Sequence, residues 1–444
     1  MRKTLASKHQ PLRVGKHDGV TDLHLAAHTG DMKSAHRLIS SRKVSVNQAT
    51  TAEGITPLFV ACQNGFVEVA RLLLDKGGEI NAATTGGATP LLVACHHGHT
   101  EVAQLLLDKG AAIDAALGGG TPLYIACQNG HTEVTRLLLD RGGEINTADD
   151  GATPLYIACQ EGFVEVARLL LDEGAEINAA TGGATPLLVA CQNGHTEVAQ
   201  LLLDKGAAID AANNKGPTPL LVACQGGFVE LVRLLLDKGG EINTAMKATP
   251  LLVACLKGKG AVVRLLLDSS ASANACSDID RSPLHVACNE GHKDVVLFLL
   301  ERGATIDKLK DGTTAVDVAA NAGHIAVVKM LVKAGARFGA ATAGKARTKG
   351  HEKVASPSAP YNFRTARAKA YARFSLKWRG SCERLIVSGV RRFVLEQAKW
   401  LDRRAAKQQQ RVDKGVEKFC AVCFKKGGGG KEAGALHRCS PVGS

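Results

Sequence analysis

Aromatic residues make up only 4% of this 444-residue chain, with two tryptophans and four tyrosines. So few large side chains argue against one thick core. Leucine, alanine and valine must do the packing, which suits thin, repeated helical layers. Long apolar runs are also missing. No stretch approaches about 18 consecutive apolar residues, so no membrane-spanning helix is expected. The opening residues MRKTLASKHQPLRVGKHDG contain no apolar run, so no secretory signal is expected either. With no such signal, the 13 cysteines point to a reducing compartment, cytoplasmic or nuclear, where thiols stay free or bind metal. No nucleophile–base pair or complete metal site stands out, and the one phosphate-loop spacing fails. Gly339 to Lys345 reads G-x-x-x-x-G-K, but Ala346 follows where a magnesium-binding hydroxyl is needed, and no strand precedes it. The chain is therefore read as non-catalytic, with no small-molecule substrate.

Charge is unevenly placed. Residues 340–444 hold 24 Lys+Arg against 7 Asp+Glu, whereas the whole chain carries 55 against 42. A mildly acidic body thus precedes a strongly basic tail, and the two parts are expected to have different partners.

What the chain has in abundance is repetition. A Thr-Pro element or its variant falls at Thr56, Thr89, Thr121, Thr153, Thr185, Thr218, Thr249, Ser282 and Thr314, at spacings of 31–33 residues, and a weaker copy begins at Thr21. Threonine is a good helix N-cap, and proline fits the first helical position, where its missing N–H costs nothing. A short apolar helix such as LLVACQ follows and breaks at a glycine. A second helix such as HTEVAQLLLDKG has apolar residues at helical spacing and ends at another glycine. Neither helix can bury its face alone, so neighbouring units must stack.

These units resemble ankyrin repeats, which are about 33 residues long and carry T-P-L-H-x-A. The resemblance implies an all-α solenoid of about ten units over residues 19–339. Residues 1–18 are read as a disordered basic N-terminus, 340–360 as a flexible linker and 361–418 as a basic helical segment. The motif histidine is kept at His24 and His285 and replaced at Phe59, Leu92, Tyr124, Tyr156, Leu188, Leu221 and Leu252. Second helices 99–116 and 195–212 are identical, and block 54–149 resembles 151–246, which points to a three-repeat duplication. In the eighth unit, Ser269 and Ser270 replace the usual Lys-Gly. A looser helix end and a bend or weak joint near 269–276 are expected there.

Eight thiols share one register: Cys62, Cys95, Cys127, Cys159, Cys191, Cys224, Cys255 and Cys288. Packed helices lie about 8–10 Å apart, too far for a disulfide, which needs Cα atoms within about 7 Å. The thiols are therefore read as small buried fillers. The recurrent Gly-His pairs, such as those at His99 and His195, are read as structural for the same reason of register.

The family implies protein binding along a concave face, through the end of the first helix and the turn tips. The matching helix positions are Gln63, Asn64, His96, His97, Gln128, Asn129, Gln160, Glu161, Gln192, Asn193 and Gln225, and the chosen tip residues are Asn214, Lys215, Asp280 and Arg281. In the tail, Tyr371, Phe374 and Trp378 share one helical face among Arg and Lys residues. Such basic amphipathic segments bind nucleic acid, an anionic membrane surface or a calmodulin-like partner. Residues 419–444 place Cys420 and Cys423 in C-x-x-C, followed by His437 and Cys439. This resembles the opening of a MYND-type zinc finger. The later cysteines of that module are absent here, so Cys420, Cys423 and Cys439 form an incomplete zinc set. No other cofactor is expected.

Overall fold

The computed structural model describes residues 19–351 and 354, apart from 42–43, 116–119, 148–151, 212–215, 244–247, 276–280 and 307–311. Every described residue belongs to one compact unit, residues 1–360. The described residues contain helices and turns, with an isolated antiparallel bridge between Thr181 and Ala184.

Ten helix pairs follow one another. Repeats 1 to 3 are α1 (Asp22–Thr29) and α2 (Met32–Ser40), α3 (Pro57–Asn64) and α4 (Val67–Asp75), and α5 (Pro90–His97) and α6 (Thr100–Asp108). Repeats 4 to 6 are α7 (Pro122–Asn129) and α8 (Thr132–Asp140), α9 (Pro154–Glu161) and α10 (Val164–Asp172), and α11 (Pro186–Asn193) and α12 (Thr196–Asp204). Repeats 7 and 8 are α13 (Pro219–Gly226) and α14 (Val229–Asp237), then α15 (Pro250–Leu256) and α16 (Gly260–Asp268). Repeats 9 and 10 are α17 (Pro283–Glu290) and α18 (Lys293–Glu301), then α19 (Ala315–Asn321) and α20 (Ile325–Lys333). Each first helix packs on the first helices of both neighbouring repeats and on its own second helix, as a solenoid requires.

The capping chemistry read from sequence is present. From Thr56 to Thr314, each cap hydroxyl accepts the backbone N–H three residues on, at 3.1–3.4 Å. A cap of this kind stabilises a helix by about 1 kcal/mol. Packing then supplies most of the stability. In repeat 6, Leu187, Ala190, Cys191, Val198, Ala199 and Leu202 are all buried, and full burial of a leucine contributes ~1.5–3 kcal/mol.

Three kinds of bond tie one repeat to the next. The residue preceding each second helix lies over the glycine that ends the previous first helix. A Cβ on Gly65 would fall 2.6 Å from the His99 ring, and one on Gly194 2.6 Å from Phe228. Where that residue is histidine, its Nε2 bonds a carbonyl of the previous repeat, as His99 does with Gln63 at 3.0 Å and His195 with Gln160 at 3.0 Å. Next, a Lys or Arg at the end of a second helix reaches back to the aspartate of the previous one: Lys109 to Asp75, Arg141 to Asp108, Lys205 to Asp172 and Lys238 to Asp204, at 2.7–2.9 Å, and Arg302 to Asp268. Finally, an Asn or Asp after the second helix of each of repeats 1 to 8 accepts a backbone N–H of the following repeat, for example Asn81 from Ala112 at 3.0 Å and Asn178 from Ala208 at 3.1 Å.

Two sequence expectations need correction. The eighth repeat shows no loosened cap. Ser270 adopts the left-handed conformation (φ 71°) that glycine holds elsewhere, and Ala271 still donates to the Leu266 carbonyl at 2.9 Å. The repeat pattern also runs on past Gly339. Helix α21 (Ala340–Thr348) occupies part of the stretch expected to be a linker and packs on α19. Its Ala346 is fully buried, the Thr342 hydroxyl donates to Asp317 at 2.7 Å, and a Cβ on Gly323 would lie 2.8 Å from the His351 ring. An eleventh unit therefore begins here. The rejected phosphate-loop spacing lies in this helix and not in a loop.

Candidate functional site

Each first helix buries its apolar residues in the stack and ends with two polar side chains before the glycine. The structure brings the predicted helix residues into one row, one pair per repeat from repeat 2 to repeat 6, continued by Gln225 in repeat 7. Gln63, Asn64, His96, Gln128, Asn129, Gln160 and Glu161 are half-buried, while His97, Gln192, Asn193 and Gln225 are exposed. The asparagines are partly committed. Asn64, Asn129 and Asn193 each donate to the carbonyl four residues back, Val60, Ile125 and Val189, at 2.8–2.9 Å. Gln160 donates to Glu161 at 3.0 Å, and the amide of Asn129 meets His96 at 3.4 Å. The free hydrogen-bonding capacity of the row therefore rests mainly with the glutamines.

Among the tip residues, Arg281 is exposed, whereas Asn214, Lys215 and Asp280 lie outside the described residues, as do Cys420, Cys423 and Cys439. Sequence reading missed Leu256, which takes the glutamine's place in repeat 8 and is 43% exposed, with exposed Lys257 beside it. The signal was the change from CQNG to CLKG. Leu297 is 44% exposed on the second-helix side, where α16 and α18 also set Arg264 over the Phe298 ring at 4.3 Å. An open groove of about 770 Å³ on that side is lined by Gly130, Phe163, Val164, Glu165, Glu197 and Leu201 among others, and contains no histidine or cysteine.

The eight register cysteines are buried and unbridged. Desolvation raises every one of these thiols, to about 12 at Cys127, Cys191 and Cys288, so none is a thiolate at neutral pH. His96, His97 and His99 crowd together, with ring centroids 4.8 and 6.0 Å apart, but His99 is held by the Gln63 carbonyl. Among the described residues no group of three or more His, Cys, Asp or Glu could hold a metal ion. None of their helices is long and apolar enough to cross a membrane. The carboxyls of Asp75, Asp108, Asp172 and Asp204 are lowered, each chiefly by the hydrogen bond from its Lys or Arg partner. These are structural contacts on the face away from the polar row.

A family model described as ankyrin repeats (3 copies) matches residues 23–117, 113–181, 180–246 and 251–342, well over half of the chain. The crystal structure of the human ASB11 ankyrin repeat domain is 32% identical, with a TM-score of 0.47, and the match covers 50% of this chain and 99% of that one. No curated protein matches the chain.

Proposed function

The chain belongs to the ankyrin repeat family, and we propose that it is a non-catalytic scaffold that holds a protein partner along the first-helix row. One observation carries this reading. The same face of successive repeats presents polar side chains in one register over a mainly apolar stack, so a partner can be held by many equivalent contacts. The row lacks the Trp and Arg anchors that dominate tight interfaces. Leu256 is the exposed apolar anchor next to it.

The test is capture from native lysate by the full chain and by a Gln128→Lys, Gln160→Lys, Gln192→Lys variant. These side chains are half-buried or exposed and outside the stack core, so the variant keeps its helical signal. Loss of a partner that the wild type retains supports the row as the site. Retention of the same partner by both proteins places binding elsewhere. The basic excess over residues 340–444 favours a second reading, in which the tail contacts nucleic-acid phosphates and the array recruits a protein. Steep salt dependence of duplex DNA binding supports that reading, and no binding at low salt removes it.

A further inference from the structure

The three bonds between repeats are not evenly distributed. At the junction of repeats 7 and 8 the first two fail together and the third is at its longest. Lys259 stands where a ring covers the glycine elsewhere. Its side-chain carbons lie over Gly227, a Cβ there falling 2.6 Å from Lys259 Cδ, and it makes no bond like that of His292 to the Leu256 carbonyl at 3.2 Å. Ser269 occupies the Lys/Arg position and forms no ion pair with Asp237. The Asn243 bond to the Ser272 N–H is 3.4 Å, against 2.8–3.2 Å at the other seven junctions that have one. The junctions of repeats 1 and 2 and of repeats 4 and 5 also lack the first two bonds, with Phe66 over Gly30 and Ser40 across from Lys76 in one, and Phe163 over Gly130 and Asp140 across from Glu173 in the other. Both keep a ring on the glycine and a short third bond, Asn47 to Glu79 at 2.8 Å and Asn146 to Glu176 at 3.0 Å.

Among the described residues, the next junction is the most heavily tied. Between repeats 8 and 9, His292 bonds the Leu256 carbonyl, Arg302 reaches both Asp268 and the Leu267 carbonyl, Asn274 accepts twice from Thr305, and Arg264 stacks on Phe298. A stack whose repeats touch only their neighbours divides where the coupling is weakest. We infer that the array consists of two cooperative units, repeats 1–7 and repeats 8–10 with α21, and that the second unit opens as a whole while the first stays folded. The second unit contains fewer stacked interfaces, and it also holds Ser270 in a left-handed conformation. The inference concerns the stack itself and stands whether or not the first-helix row binds a partner.

Buried thiols on both sides of the joint report its opening. The full chain is incubated with a thiol reagent at graded urea, and each modified cysteine is located by peptide mass. Cys255 and Cys288 are expected to react together, about tenfold or more faster than Cys62 to Cys191, at urea concentrations below the main transition. The variant Lys259→His, Ser269→Lys restores both missing groups and is expected to bring Cys255 and Cys288 to the rate of the others. Simultaneous labelling of all eight thiols in the wild type overturns the inference. So does sequential labelling with Cys288 well ahead of Cys255, which is the signature of fraying from the end of the array. A variant that labels like the wild type overturns the assignment to these two positions.

Discussion

Ser270→Gly is expected to stabilise the protein, although it removes a side chain and adds flexibility. The eight equivalent positions from Gly77 to Gly335 are glycines with φ between 79° and 105°, and Ser270 is the lone non-glycine with positive φ among the described residues. A residue with a Cβ pays roughly 1–2 kcal/mol for that conformation. Glycine gives part of this back through greater freedom in the unfolded chain, about 0.4–1 kcal/mol. The net expectation is a gain of about 0.5–1 kcal/mol. The space around the site does not oppose it, since a Cβ at Gly206 or Gly239 would meet nothing within 4 Å, so the cost at Ser270 is conformational and not a clash. Urea denaturation followed by circular dichroism measures the change. If repeats 8–10 form their own unit, the gain appears in the first transition alone. The reverse substitution, Gly206→Ser, should then lower the second transition by a similar amount. A Ser270→Gly protein no more stable than the wild type, with Gly206→Ser costing nothing, would refute the argument from backbone conformation.

Other substitutions separate the remaining forces. Cys159→Ser should destabilise by roughly 1–3 kcal/mol in the same assay, because a hydroxyl would replace a thiol with no exposure to water. Gly194→Ala should cost more than Gly206→Ala, since both have positive φ but only Gly194 has a ring, that of Phe228, 2.6 Å from the added Cβ. The carboxyls of Asp75, Asp108, Asp172 and Asp204 should titrate below the ordinary 3.8, as carboxyl NMR would read. Because folding lowers them, their stabilisation is present above the unfolded value and is lost as pH falls through the folded one, so the inter-repeat ion pairs weaken only in acid. Thr342→Ala removes the hydroxyl that donates to Asp317 and should cost about 1 kcal/mol, with the loss confined to the C-terminal end of the array.

The layers of this fold were legible because each repeat spells out its own start and stop. Thr-Pro marks the first helix, glycine its end, and the same aliphatic register recurs in helix after helix. The thiols were legible for the same reason, since eight cysteines in one register can be only as far apart as the helices that carry them. What stayed hidden was the coupling between layers. The pairing of Asp75 with Lys109 or of Asn81 with the Ala112 N–H joins residues about one repeat apart in sequence. Inside a single repeat, those letters look like ordinary solvated polar residues. The end of the array was misread for a related reason. Helix α21 has neither Thr-Pro nor a run of leucines, so its local signals fail, yet Ala346, the Gly350-His351 pair and Val354 keep the repeat's register. A unit too polar to stand alone is stabilised by the layer beneath it, through apolar contact on its inner side. By that logic the junctions, more than the repeated core, set how far each part of the array holds together. The single-repeat changes at Lys259, Ser269 and Ser270 fall where the core letters are almost unchanged.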